Sequence, residues 1–183
     1  MSQAKSRRHN EVHPGEIDMQ TRAGSRLVGR RIIEHIRDVL GAGFQEFIEA
    51  QCMFFLATGD DEGRLDCSYR GGPPGFLRVV DDRTLLFPDY NGNGSFMSLG
   101  NLAVNPNVGM LFIDFERQRR IRVNGRAEIL DDPELLSQFP GAERVVRVTV
   151  EQAFPNCSRY IPRMVRVGAQ PTDWPREPAE PSS

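Results

Sequence analysis

Asp89-Tyr90-Asn91-Gly92-Asn93-Gly94-Ser95 is the segment whose residue types and spacing most directly invite chemistry. It runs straight into a helical pattern, Phe96 to Val104, that carries Ser98 near its start. Unpaired amides in the first turn of a helix, with small hydroxyls beside them, can hold an anion such as phosphate at short range. On this reading Ser95 and Ser98 donate hydroxyls, while Asn91 and Asn93 take left-handed turns or reach a sugar. A plain surface turn followed by a helix cap accounts for the same string. No Gly-Lys-Ser/Thr follows, so the segment is not a Walker loop.

Four arginines strengthen the case for an anion. Arg70 and Arg78 flank the turn 71–75, and Arg120 and Arg122 lie on a later strand-like run. A guanidinium grips phosphate through two parallel hydrogen bonds, although pairing with a surface carboxylate is the commoner fate of an arginine. Metal chemistry finds little support. His9, His13 and His35 all precede the strand-rich region, His9 and His13 standing in H-x-x-x-H spacing within the expected arm, and there is no Cys/His cluster. Cys52, Cys67 and Cys157 are odd in number and widely spaced, which favours reduced, cytoplasmic thiols over disulfides or zinc. Arg159 follows Cys157 closely enough to lower its thiol pKa, but a buried structural cysteine is the simpler expectation.

The elements that must position these groups are mostly strands. Apolar runs at Met53–Thr58, Phe76–Val80, Thr84–Phe87 and Val108–Phe115 are joined by Gly- and Asp-rich turns. Leu65 to Arg70 alternates, with Asp66, Ser68 and Arg70 on a wet face. Arg120 to Leu130 alternates as well, and Val145 to Val150 gives a final strand. Ile32, Ile33, Ile36, Val39 and Leu40 share one face of a helix expected from Arg30, with a second short helix around Phe44–Ile48. Asp132 and Pro133 start another.

Three parts are expected: a polar, irregular and flexible arm at 1–29, one domain at 30–168, and a Pro-rich tail at 169–183. With 183 residues and 39% hydrophobic content, the chain can build one real core. A formal charge of −2, from 23 basic and 25 acidic residues, points to no nucleic acid. No window suggests a membrane span, and the polar, basic start lacks the apolar stretch of a secretory signal.

The ordered motifs S-Y-R-G-G-P-P-G-F-L-R-V (68–79), F-P-D-Y-N-G-N-G-S-F-M-S-L-G-N-L (87–102), N-P-N-V-G-M-L-F-I-D-F (105–115) and R-V-N-G-R-A-E-I (122–129) resemble the pyridoxamine 5′-phosphate oxidase-like family. The resemblance spans roughly Phe47 to Met164. It implies a mainly β fold with flanking helices, a six-stranded antiparallel split β-barrel of the FMN-binding type. It also implies a homodimer with FMN at the subunit interface. Ser68, Tyr69 and Arg70 would line the flavin edge, and Arg78 would stand near phosphate. Asn91, Asn93, Ser95 and Ser98 would hold ribityl and phosphate groups, with Arg120 and Arg122 approaching the ring system. The C-terminal N-C-S-R-Y-I-P (156–162) is similar to a tail motif of one branch, except that Asn156 stands where a His commonly precedes the Cys. True pyridoxamine-phosphate oxidases carry Arg-Lys where this chain has Met97-Ser98, and their C-terminal Trp/Arg clamp has no counterpart, Trp174 lying in the tail. Vitamin oxidation is therefore not expected. The expectation is an FMN-dependent oxidoreductase acting on an unidentified small molecule. Any nicotinamide donor would bind transiently, since no Rossmann fingerprint is present. Alternatives are deazaflavin or haem in place of FMN, and a flavin carrier without turnover.

Overall fold

The computed structural model describes residues 11–73 and 75–166. Residues 1–10 of the expected arm and the Pro-rich tail with Trp174 lie outside that range. The chain runs α1 (Pro14–Arg22), α2 (Arg26–Ile33), α3 (Ala42–Glu49), β1 (Met53–Gly59), β2 (Leu65–Gly71), β3 (Arg78–Asp81), β4 (Thr84–Tyr90), α4 (Met97–Val104), β5 (Asn107–Asp114), β6 (Arg119–Leu130), α5 (Pro133–Leu136) and β7 (Ala142–Asn156).

All strand pairings are antiparallel, and the order across the sheet is β2-β1-β5-β6-β7-β4-β3. This corrects the expected six strands: the sheet has seven, and β2 and β3 remain as edges, so it curls without closing. The curl is driven by alternation. Phe54 and Leu56, Val108, Met110 and Phe112, and Ile121 and Val123 all point to one side and are buried. Phe54 sits at the centre, its ring 5.1 Å from that of Phe87, 5.4 Å from Phe112 and 6.1 Å from Phe76.

β7 is much longer than the expected Val145–Val150, because its first half pairs with β4 and nearly all of it pairs with β6. Glu151, Gln152 and Pro155 break the apolar pattern that sequence reading relies on. The β6–β7 ladder shifts register at Asn124/Gly125. There a Cβ on residue 125 would run into the Thr149 carbonyl oxygen, so only glycine allows the two backbones to close at this bulge.

The N-terminal region departs most from expectation. Residues 14–22, read as part of an irregular arm, form α1. Its cap is His13, whose Nδ1 accepts from Gly15 N at 3.1 Å and Glu16 N at 3.3 Å, while Glu16 accepts from His13 N at 2.8 Å. Histidine is outside the usual Ser/Thr/Asp/Asn cap set, so the sequence carries no ordinary start signal here. The helix expected from Arg30 to Leu40 instead ends at Ile33. Arg37 exchanges backbone hydrogen bonds with Ala153 on the free side of β7, and Leu40 N donates to Asp82 O. The open edge of β7 pairs with Arg37 and the β3–β4 turn accepts from Leu40, so the backbone groups are satisfied without another helical turn. Among the described residues no helix is long and apolar enough to cross a membrane.

Candidate functional site

In the register of the β1–β2 pair, Asp66 faces Thr58, Ser68 faces Leu56 and Arg70 faces Phe54. Those β1 partners point inward, so the three β2 side chains do too. Because β2 is an edge, no further strand covers them. The first turn of α4 and the end of β4 lie opposite instead, and the seam between is a cavity of about 370 Å³. Asp66, Ser68 and Arg70, with Tyr69 between them turned toward the other face of the sheet, form one wall, and residues 89 to 99 form the other.

Two hydrogen-bond systems span the seam. Ser98 is buried; its Oγ donates to Asp66 Oδ2 at 3.0 Å and lies 3.0 Å from Ser68 Oγ. Arg70 Nη1 donates to Asp89 Oδ1 at 3.0 Å. The other oxygen of Asp89 lies 3.5 Å from Arg144 Nη1, which also reaches Glu143 at 3.1 Å. The Nε of Arg70 is buried without a hydrogen-bond partner. The guanidinium of Arg144 lies 5.2 Å from the ring centre of Phe96, the residue that caps α4 in a left-handed conformation with φ +48°.

The loop between β4 and α4 folds on itself. Asn93 Oδ1 accepts from Ser95 N at 3.1 Å and from Ser95 Oγ at 2.7 Å, an Asx turn completed by Gly94 at φ +72°. Three carboxylates (Asp66, Asp89, Glu143) stand against two guanidinium groups (Arg70, Arg144), leaving one net negative charge around the cavity.

Of the residues expected at the site, the fold brings Ser68, Tyr69, Arg70, Asn91, Asn93, Ser95 and Ser98 to this one cavity. The ring of Tyr69 stands edge-on to Phe55 at 6.4 Å, and burial, with a smaller contribution from Cys52, raises its phenol pKa above 10.0. Arg78 does not line the cavity. It donates to the Gln138 side chain and carbonyl at 3.0 and 2.9 Å, and it lies over the Phe139 ring. Arg120 and Arg122 are on the other side of the sheet, paired in register with Ile113 and Leu111. Arg122 lies over the Phe154 ring, while the buried Nε of Arg120 has no partner. Cys157 is exposed, which corrects the expectation of a buried thiol; its sulfur accepts from Arg159 N at 3.3 Å.

Sequence reading missed Asp66, Asp89, Phe96 and Arg144 as site residues. Asp66 shares the wet face of β2 with Ser68 and Arg70, so its alternation was a usable clue. Asp89 and Arg144 are 55 residues apart, and only the β4–β7 pairing brings them together.

The family model described as pyridoxamine 5′-phosphate oxidase matches residues 40–173. No curated protein matches the chain in sequence. Among solved structures, a provisional pyridoxamine 5′-phosphate oxidase from Lactobacillus delbrueckii is 20% identical, with a TM-score of 0.52 over 64% of this chain and 95% of that one. HupZ of Group A Streptococcus is 22% identical, with a TM-score of 0.50 over 63% of this chain and 93% of its own. An FMN-binding protein from Syntrophomonas wolfei is 13% identical, with a TM-score of 0.49 over 77% and 97%. For the Lactobacillus and Streptococcus proteins, at these identities, the likeness concerns the fold alone.

Proposed function

The chain belongs to the pyridoxamine 5′-phosphate oxidase family of split β-barrels, and from that premise we propose that it is an FMN-binding oxidoreductase acting on a small molecule. The observation that carries this reading is the seam cavity itself. It gathers serine and asparagine groups, a helix start and a buried Arg70 Nε that has no partner inside the protein. A buried guanidinium N–H without a partner is costly and is relieved by an acceptor on a ligand. The volume falls in the range of small-molecule sites.

FMN, when bound, supplies the redox chemistry. The chain's own residues hold and orient it: Arg70 from β2 as the fixed positive charge, the hydroxyls and amides of the cleft as hydrogen-bonding groups. Met97-Ser98 stands where true pyridoxamine-phosphate oxidases carry Arg-Lys, and their C-terminal Trp/Arg clamp has no counterpart, so oxidation of pyridoxamine phosphate is not proposed.

The reading includes a homodimer. One chain's cleft carries a net negative charge, which is unsuited to an anionic cofactor, while Arg120 and Arg122 occupy the opposite face of the sheet. That face is also apolar beside them, through Phe55, Tyr69 and Leu111. A second copy packed on it would bring its arginines toward the cleft and restore the charge balance.

The test is purification of the protein and titration with FMN. Yellow protein with flavin absorbance, or uptake of added FMN, is expected; a colourless protein that ignores FMN overturns the reading. Deazaflavin or haem in the same cleft would give their own spectra. Stopped-flow mixing with a nicotinamide donor separates an oxidoreductase from a carrier, because a carrier's flavin stays oxidised.

A further inference from the structure

The hydroxyl groups at the floor of the cleft have a defined proton order. Asp66, as a carboxylate, can only accept. Ser98 has one hydroxyl proton, and it goes to Asp66 Oδ2 at 3.0 Å. The 3.0 Å contact between Ser98 and Ser68 must therefore use the proton of Ser68. Ser68 Oγ is left with lone pairs alone on the cavity wall, next to the charge of Asp66.

We propose that Ser68 and Asp66 form an acceptor-only subsite, which takes a neutral hydroxyl or N–H donor of the ligand and excludes its phosphate. The proposal rests on the flavin reading for its ligand and revises it at one point. Ser98, expected from the sequence to donate to phosphate, has no proton to spare. A phosphate oxygen placed here would set lone pair against lone pair and charge against charge. A ribityl hydroxyl or the imide N–H of the ring suits the site. The phosphate belongs elsewhere, where Arg70 Nε lacks an acceptor.

The chain of three also explains why Ser98 tolerates burial. Its oxygen receives one proton and gives one, so a group only 4% exposed is satisfied without a ligand. Removing the Ser68 hydroxyl takes away the group that passes this polarity to the cavity.

Riboflavin and FMN differ only by the phosphate, so together they read the subsite. Ser68→Ala is expected to weaken both by the same factor, roughly three- to ten-fold, the worth of one hydrogen bond. Loss of FMN affinity with riboflavin unchanged would put the phosphate on Ser68 and overturn the proposal, as would no loss for either. If the wild-type protein binds neither flavin, the flavin reading fails, and the subsite is then decided by neutron diffraction of the deuterated protein. The Ser68 deuteron is expected on the line to Ser98 and the Ser98 deuteron on the line to Asp66. A Ser68 deuteron pointing into the cavity overturns the assignment whatever the ligand.

Discussion

Arg70 Nη1 meets Asp89 Oδ1 at 3.0 Å, and this bond ties the free edge of the sheet to the strand that leads into the cleft loop. β2 is one edge of the strand order and β4 lies next to the other edge, β3, so the pair bridges a seam that backbone hydrogen bonds leave open. The Asp89 side chain is 7% exposed and that of Arg70 22%, which separates this pair from the surface ion pairs elsewhere on the molecule. Removing one member of a buried pair leaves the other charge uncompensated. Asp89→Asn is therefore expected to lower stability by about 2 kcal/mol in urea unfolding, the range for hydrogen bonds to charged groups. The same change frees Arg70 and Arg144, so affinity for anionic ligands should rise as stability falls. A variant with unchanged unfolding would reduce the pair to an exposed salt bridge.

Gly125 sits where β6 and β7 approach most closely. Gly125→Ala must push the strands apart at the bulge or displace the Thr149 carbonyl, because backbone cannot rotate away as a side chain can. A loss of about 3 kcal/mol is expected from chemical denaturation, the upper part of the usual overpacking range. At the neighbouring Gly109 an added methyl group would meet only ordinary contacts, the nearest being Asn124 Oδ1 at 3.5 Å, so Gly109→Ala should cost far less.

The contrast between strands and helices explains what the sequence made legible. The runs at Met53, Thr84 and Val108 were readable because a short apolar run, whether buried on alternate residues as in β5 or continuously as in β4, is a local property of each strand. The cleft wall of Ser68, Arg70 and Ser98 was readable through motif resemblance. The role of Arg78 was not, since Gln138 and Phe139, which occupy its guanidinium, are 60 residues or so away. Asp89 and Arg144 were hidden for the same reason. The end of α2 depended on the spare edge of β7, a partner more than a hundred residues downstream, and α1 depended on a histidine cap.

Phe96 holds a left-handed backbone with a bulky side chain, which costs an L-residue about 1–2 kcal/mol. The ring recovers part of that cost over the Arg144 guanidinium. Phe96→Ala keeps the strain and loses the ring, whereas Phe96→Gly loses both. The glycine variant is expected to be the more stable of the two by about 1 kcal/mol in thermal or urea unfolding. The reverse order would mean that the backbone at residue 96 leaves the left-handed region in solution.

Asp60 closes the β1–β2 turn, and Arg64 holds its carboxyl pKa below 3.8, first through the side-chain hydrogen bond and then through the backbone N–H. A depressed carboxyl pKa stabilises the folded turn fully above the ordinary aspartate pKa. That stabilisation is lost as the pH falls through the lower folded value. An NMR titration should show the Glu62 and Arg64 amides, which donate to Asp60 Oδ1, moving together with the Asp60 carboxyl. Asp60→Asn should remove that acid-induced movement. Independent titration of the amides would break the link.

Phe55 pairs in register with Tyr69 on one side and Leu111 on the other, and Leu111 pairs with Arg122. These side chains lie on the face of the sheet away from the core, with Tyr69 60% exposed. β1 is thus apolar on both faces, a pattern that a single chain does not require of an outer surface. In a two-fold dimer each substitution acts twice. Phe55→Glu therefore forfeits roughly 2 kcal/mol of apolar burial per copy, or about a thousand-fold in dimer affinity. Sedimentation should report dimer for the wild type and monomer for Phe55→Glu, with far-ultraviolet circular dichroism unchanged. Leu27→Glu alters the separate exposed apolar side of α2, where Leu27 is 76% exposed, and should leave the dimer intact. A Phe55→Glu protein that remains dimeric, or a wild type that sediments as a monomer, would remove this face from the assembly and with it the route by which Arg120 and Arg122 reach a cleft.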